Sequence, residues 1–205
     1  MKLAGAEVSA ARLAVPVIAM MAVVATSNVA VQHPVELFGL QEALTWGAFT
    51  YPVAFLVNDL TNRRFGPAVA RQVVYFGFAL AVVLSIWLAT PRIALASGTA
   101  FLVGQLLDIN VFNRLRRLSW WQAPLAGSLI GSALDTALFF SLAFAGDEAM
   151  SFPVTYSTGI TVPLWVGLAF FDFLVKVGCA LLSLAPYGAL MGWLKPWGGT
   201  QTLAR

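Results

Sequence analysis

The 205-residue chain has few charged residues, one cysteine and one histidine. Cys179 has no second cysteine with which to form an internal disulfide, and His33 alone gives no basis for a histidine-based metal centre. Only 10% of the residues are charged, against about 25% in an average soluble domain. Because 60% are hydrophobic and the mean hydropathy is +0.82, the composition predicts a polytopic membrane protein.

Two further absences exclude other classes of protein. The sequence has no glycine-rich phosphate-binding loop, so no motif for ATP hydrolysis is present. It has a formal net charge of +3 but no long basic run, which argues against a nucleic-acid partner. No metal and no cofactor are predicted.

Six hydrophobic segments can be distinguished, and a helix that spans a bilayer uses about 20 mostly apolar residues. They cover residues 11–31, 43–60, 71–90, 93–113, 122–145 and 160–190. The short connection at Pro91 and Arg92 predicts an antiparallel hairpin of the third and fourth segments. Pro163 is expected early in the last helix, and Pro186 is expected to end or kink it. The predicted fold is an all-α membrane protein, with one six-helix domain over residues 1–205.

The basic residues are concentrated in alternate connections, which predicts the orientation. Ten of the twelve lie in the two tails, the second–third loop and the fourth–fifth loop: Lys2, Arg12, Arg63, Arg64, Arg71, Arg114, Arg116, Arg117, Lys195 and Arg205. The positive-inside rule places these regions in the cytoplasm, so both termini are predicted to be cytoplasmic. Tryptophans near the same side are interpreted as interfacial anchors: Trp120, Trp121, Trp193 and Trp197.

Four ionisable residues lie within the predicted spans: Asp108, Asp135, Asp172 and Lys176. Each unpaired charge at the centre of a bilayer costs about 2.5–3.5 kcal/mol on insertion scales. Such residues usually face a bundle interior or a water-filled cavity and mark a pathway. They are the strongest functional signal in the sequence.

The spacing of these residues predicts which of them share a helix face. Asp172 and Lys176 are four residues apart and can pair, either as a self-neutralising pair that permits insertion or as a functional pair. Asp135 has no basic neighbour on its own helix and continues a polar stripe with Ser128 and Ser132, which is expected to face inward.

Gln105 and Asp108 also share a helix face, because they are three residues apart. Asp108 lies toward the cytoplasmic end of its helix, where Arg114 or interfacial water could offset part of its cost. Functional and structural interpretations of Asp108 are evenly balanced on physical grounds alone.

A cavity lined by carboxylates, an amide and aromatic rings favours a particular kind of solute. A carboxylate accepts two parallel N–H bonds from an amidine edge, and a glutamine both donates and accepts. Aromatic residues that could stack on a flat ring are Phe49, Tyr51, Phe101, Phe112, Phe139 and Phe140. The pattern suggests a small, flat, nitrogen-rich solute without identifying it.

From about residue 28 to residue 187 the sequence resembles the queuosine precursor transporters, within the vitamin uptake transporter group. The matching residues, in order, are Asn28, Phe49-Thr-Tyr-Pro52, Phe55-Leu-Val-Asn-Asp-Leu-Thr-Asn62, Gly66, Ala70-Arg71, Ala96-Ser97, Ala100-Phe-Leu102, Gln105-Leu-Leu-Asp-Ile-Asn-Val-Phe112, Ser132, Asp135-Thr136, Phe139, Lys176 and Pro186-Tyr187. Two positions depart from the family pattern. Arg63 stands where an acidic residue is common, and Gln32 where a basic residue is expected.

The resemblance implies a six-helix protein of the bacterial inner membrane that imports 7-cyano-7-deazaguanine, 7-aminomethyl-7-deazaguanine or both, for the salvage of queuosine in tRNA. It also implies a fold similar to the substrate-binding subunits of energy-coupling factor transporters, working without an ATPase.

The implied substrate assigns roles to the residues identified above. Asp135 or Asp108 would hold the amino-pyrimidine edge, Gln105 would read the ring carbonyl, and an aromatic ring such as Phe49 or Phe101 would stack on the base. Lys176 with Asp172 would form a gate or a proton-linked pair. Further candidates for the substrate site are Asn28, Asn58 and Asp59.

Other functions stay open at this point. The chain could be a substrate-binding subunit of an ATP-driven importer, or it could carry another vitamin or base. A membrane enzyme using the buried carboxylates as acid and base is a third class, although no nucleophile–base arrangement accompanies them. Gly127 and Gly131 are spaced for close helix contact, either within the bundle or in a homodimer.

Overall fold

The computed structural model describes residues 2–3, 6–7, 10–30, 33, 35, 45–50, 52–156 and 159–196, with side chains from residue 13 onward. Gln32, Tyr51, Trp197 and Arg205 lie outside the described residues, as do the side chains of Lys2 and Arg12.

The described chain forms seven helices and two short hairpins. The helices are α1 (Ala10–Ala30), α2 (Gly47–Thr50), α3 (Val53–Phe65), α4 (Pro67–Leu88), α5 (Pro91–Leu115), α6 (Gln122–Phe144) and α7 (Leu164–Met191). The antiparallel strand pairs are β1 (Lys2–Leu3) with β2 (Ala6–Glu7), and β3 (Pro153–Thr155) with β4 (Thr161–Pro163). The chain is therefore a largely helical membrane protein, with a small hairpin between α6 and α7 that was not predicted.

Within the described residues, five helices are long and apolar enough to cross a membrane: α1, α4, α5, α6 and α7. The predicted second span over 43–60 is not one such helix, because it is divided into α2 and α3 around Pro52. Proline disfavours helical geometry in the residue before it, which accounts for the break. The 13 residues of α3 extend about 20 Å, which is shorter than the roughly 30 Å hydrocarbon core.

Two tight connections follow from glycine, threonine and proline. Gly66 adopts φ 83° between α3 and α4, a conformation that glycine permits without a side-chain penalty, and Pro67 begins α4. Thr90 caps α5 by accepting a hydrogen bond from the Ile93 N–H at 3.4 Å. Only two residues separate α4 from α5, and the two helices pack together, as predicted for a hairpin.

The two proline predictions for the last helix have different outcomes: the helical position of Pro163 is wrong, Pro186 does not end the helix, and a kink at Pro186 stays a prediction. Pro163 is the last residue of β4 and the N-cap of α7, so it precedes the helix. Pro186 lies inside α7, which continues to Met191.

The closest helix packing is between α5 and α6, where glycines replace side chains at the contact. A Cβ at Gly131 would lie 3.0 Å from the Gly104 carbonyl oxygen and 2.7 Å from the Phe55 ring, so a side chain there would force its neighbours to shift. A Cβ at Gly127 would collide with the Asp108 carboxylate. The Gly127–Gly131 motif therefore serves packing within the bundle, and it brings the polar residues of the two helices together.

Candidate functional site

Buried polar side chains form two clusters inside the bundle. The Lys176 cluster consists of Asp135 and Thr136 on α6 with Asp172 and Lys176 on α7. The Asp108 cluster consists of Asn58 and Asp59 on α3, Gln105 and Asp108 on α5, and Ser128 on α6. The four ionisable residues of the predicted spans all belong to one cluster or the other.

The Lys176 cluster is a cation held between two carboxylates. The Lys176 Nζ lies 2.7 Å from the Asp135 Oδ2 and 2.6 Å from the Asp172 Oδ2. It also donates to the Thr136 hydroxyl at 3.0 Å, and that hydroxyl donates to the Asp172 Oδ2 at 2.8 Å. The predicted pairing of Asp172 with Lys176 is confirmed, and Asp135 joins it from the neighbouring helix. The Lys176–Asp135 ion pair and the hydrogen bonds of Thr136 therefore link α6 to α7.

The Asp108 cluster is organised by the amide of Asn58. The Asn58 Nδ2 donates to the Asp108 Oδ2 at 2.8 Å and to the backbone oxygen of Gln105 at 3.2 Å. Asp59, the next residue of α3, accepts a long 3.5 Å hydrogen bond from the Ser128 hydroxyl. Asn58, Gln105 and Asp108 are fully buried, so these polar groups are withdrawn from solvent.

Several atoms of the Asp108 cluster have no hydrogen-bond partner within the described part of the chain. They are the Oδ1 atoms of Asn58, Asp59 and Asp108 and both amide atoms of Gln105. A buried polar atom without a partner costs about 1–3 kcal/mol, so such atoms are normally satisfied by water or ligand. Together they offer one N–H donor group and four acceptor oxygens, which suits a ligand that carries both kinds of group.

The two clusters lie side by side across the α5–α6 contact. A Cβ at Gly104, the residue before Gln105, would lie 3.1 Å from the Asp135 Cβ. The predicted inward stripe of Ser128, Ser132 and Asp135 is confirmed, since all three are buried. The close packing of α5 and α6 therefore joins the amide-rich cluster to the ion-paired one.

The other predicted residues have different surroundings. The Asn28 amide donates to the Val24 carbonyl on its own helix at 2.9 Å. Phe101 is buried in an apolar cluster with residues of α1 and α4, while Phe49 on α2 is partly exposed, with its ring centroid 5.8 Å from that of Trp46. Among the described residues Asp108 forms no ion pair with Arg114, and its donor is Asn58 instead.

The end of the bundle that is predicted to face the cytoplasm carries a group of arginines, which includes Arg63, a departure from the family pattern. Burial, together with the nearby guanidinium groups of Arg117 and Arg63, lowers the pKa of Arg116. The Arg64 guanidinium donates to the Lys195 carbonyl at 3.3 Å, joining the end of α3 to the residues that follow α7. The positive charges predicted to face the cytoplasm thus converge from three parts of the chain.

Sequence reasoning did not predict the following contacts of Thr136, Ser128 and Asn62, although it placed Ser128 on the inward stripe. Thr136 bridges Lys176 and Asp172, and Ser128 contacts Asp59. Asn62 lies one turn beyond Asn58 and accepts from the Asn113 amide at 3.2 Å. The run of polar residues at Asn58, Asp59 and Asn62 in an apolar segment was the signal that could have identified this face of α3.

Comparison with known proteins gives consistent matches. Residues 45–191 match the family described as "Putative vitamin uptake transporter". The chain is 35% identical over 196 residues to a "Queuosine precursor transporter" of Escherichia coli (strain K12), covering 84% of this chain and 83% of that protein. It is 34% identical over 201 residues to a "Probable queuosine precursor transporter" of Haemophilus influenzae, covering 82% of each chain.

A more distant relative from Bacillus subtilis, also described as a "Probable queuosine precursor transporter", is 28% identical over 189 residues. That match covers 78% of this chain and 76% of the relative. No solved structure matches the chain. The comparison with known proteins therefore rests on sequence similarity.

Proposed function

The chain belongs to the vitamin uptake transporter family, as a multi-pass protein of the bacterial inner membrane, and we propose that it imports queuosine precursors. The proposed cargo is 7-cyano-7-deazaguanine, 7-aminomethyl-7-deazaguanine or both, for the salvage of queuosine in tRNA. The names of the relatives support this class of cargo. The observation on the chain itself that favours it is the set of buried, unpartnered donor and acceptor atoms around Asp108.

A deazaguanine ring complements the Asp108 cluster chemically. Its amidine edge presents two parallel N–H donors, which suit a carboxylate such as Asp108. Its ring carbonyl requires a hydrogen-bond donor. The Gln105 amide has an N–H donor group that has no partner in the described chain. We therefore assign Asp108 to the amino-pyrimidine edge in preference to Asp135, because Asp135 already accepts from Lys176 at 2.7 Å.

The Lys176 cluster is proposed to act as a gate or proton-linked group beside the bound base. Its Lys176–Asp135 ion pair joins α6 to α7, so opening that pair would weaken the contact between these helices. Its two carboxylates share one cation, which leaves one net negative charge when all three groups are ionised. Such a group can accept a proton or exchange partners during transport.

We also propose that α2 and α3 together provide a sixth membrane crossing. Arg63 and Arg64 end α3 and Arg71 follows in α4, so this junction would lie in the cytoplasm. A broken helix at membrane depth is tolerated where it is buried in protein, and α3 packs against α1, α5 and α7. Both termini would then be cytoplasmic.

Cysteine labelling tests this topology. In a Cys179→Ser background, Glu148→Cys is expected to react with a membrane-impermeant thiol reagent in intact cells. Lys2→Cys and Arg117→Cys are expected to react only after permeabilisation. Labelling of Lys2→Cys from outside, with Arg117→Cys still protected, would show an odd number of crossings and overturn the sixth span.

Uptake by the purified chain in liposomes tests the function. We expect labelled 7-deazaguanine bases to accumulate without any added ATPase, and excess unlabelled base to block the uptake. A response to an imposed proton gradient would establish coupling. Specific binding without uptake would favour a subunit that needs an ATP-driven partner, and no binding to folded protein would refute the proposed cargo.

The rival functions receive less support. The matched relatives are described as transporters, which points away from a membrane enzyme. The same descriptions give no support to a subunit of an ATP-driven importer. Another base or vitamin on the same scaffold would be detected in the uptake experiment as competition by that compound.

A further inference from the structure

The Asp108 cluster contains two carboxylates that approach one another from different helices. Asp59 on α3 accepts from Ser128, while Asp108 on α5 lies against Gly127, the residue before Ser128 on α6. Both side chains are buried, and they lie against adjacent residues of α6. The close packing at Gly127 therefore holds two acidic groups at the same level of the bundle.

These carboxylates lack the cation that neutralises the neighbouring cluster. Asp135 and Asp172 share Lys176, whereas in the described part of the chain neither Asp59 nor Asp108 lies within 4.0 Å of a basic group. A buried charge without a partner carries a large desolvation cost. When these carboxyl groups are ionised, a neutral ligand leaves their charge uncompensated, while a cationic ligand offsets part of it and favours their ionised form.

Several oxygen atoms in and beside these two carboxyl groups have no hydrogen-bond donor in the described chain. The Oδ1 atoms of Asp59 and Asp108 have no donor within the described chain, and the Asn58 Oδ1 next to them has none either. An ammonium group carries three N–H donors and no acceptor, so it matches a surplus of oxygens. The amidine edge of a base uses one carboxylate and leaves the other available.

We propose that Asp59 binds the ammonium group of 7-aminomethyl-7-deazaguanine, so that this chain transports the aminomethyl base in preference to the cyano base. Asp108 accepts the amidine edge of the same molecule. The nitrile of the cyano base has no N–H and no positive charge, so it leaves the Asp59 Oδ1 without a donor. This inference rests on the proposed function and identifies the residue that determines specificity within it.

The test compares the two bases in the same liposomes. Inhibition of uptake by unlabelled compounds is measured with 7-aminomethyl-, 7-cyano- and 7-methyl-7-deazaguanine, the last being neutral and without the amine. The unmodified chain is expected to bind the aminomethyl base about 10- to 100-fold more tightly than either neutral base, since a charge-assisted hydrogen bond is worth about 1.5–3 kcal/mol. Equal affinities, or a preference for the cyano base, would overturn the inference.

The substitution Asp59→Asn locates the effect. It is expected to lower affinity for the aminomethyl base at least about tenfold more than for the cyano base. Asp59→Glu is expected to retain part of the preference, and the exposed Glu148→Gln, which also removes one negative charge, serves as the matched control. Equal loss for both bases in folded Asp59→Asn protein would assign Asp59 a general role and refute specificity.

Two failures can be told apart in this design. If the unmodified chain is folded and takes up none of the three bases, the proposed function is wrong. If it takes up deazaguanines without preferring the amine, the proposed function stands and the role of Asp59 is wrong. The comparison of ligands needs no variant, so it decides the preference even if Asp59→Asn does not fold.

Discussion

Replacing Lys176 with methionine is expected to lower the free energy of unfolding by about 3–5 kcal/mol, because the change leaves two buried carboxylates without their cation. The side chains of Asp135 and Asp172 are only 4% and 16% exposed, so water cannot fully replace the lost partner. Methionine keeps a similar length, which limits the loss of packing. Unfolding of the purified protein in detergent, followed by denaturant or heat, measures the effect.

The matched control is Lys195→Met, which makes the same change at an exposed position. It is expected to alter the free energy of unfolding by no more than about 0.5 kcal/mol. Adding Asp135→Asn to Lys176→Met should recover part of the lost stability, since one of the two carboxylates that lost their cation is then replaced by a neutral amide. If Lys176→Met is as stable as Lys195→Met, the ion pairs do not hold α6 to α7.

Replacing Asp108 with asparagine is expected to weaken binding of the deazaguanine base by about 10- to 100-fold. The amidine edge then loses the carboxylate that accepts both of its N–H groups. The new amide oxygen can still accept from Asn58, so the contact between α3 and α5 is preserved. Equilibrium binding and initial rates of uptake in liposomes measure the loss.

Stability separates a binding role for Asp108 from a structural one. The substitution removes one of two interacting buried carboxylates, so Asp108→Asn should be no less stable than the unmodified chain. This is opposite in sign to the effect expected for Lys176→Met. Normal binding by Asp108→Asn protein would contradict the assignment of Asp108 to the amidine edge. Asp135 would then be the remaining candidate, and Asp135→Asn should be tested in the same way.

Much of the fold follows from patterns that are local in sequence. Five of the six predicted apolar segments correspond to helices long enough to span the membrane, because a long run of apolar residues has few alternatives to a helix in lipid. The second segment is divided into α2 and α3, which the count of apolar residues did not predict because it took no account of Pro52 or of the polar residues of α3. The proline divides the helix, and neighbouring helices rather than lipid cover Asn58 and Asp59.

In the candidate site, too, some contacts follow from spacing along one helix and others form only between helices. The Asp172–Lys176 pair and the shared face of Gln105 and Asp108 could be predicted from the sequence alone, because helical periodicity makes residues three or four apart neighbours. The contact of Asp135 with Lys176 and that of Asn58 with Asp108 became visible only in the folded chain. Those contacts join different helices, and they depend on the rotation and depth at which glycine-lined surfaces pack, which no spacing along one helix encodes.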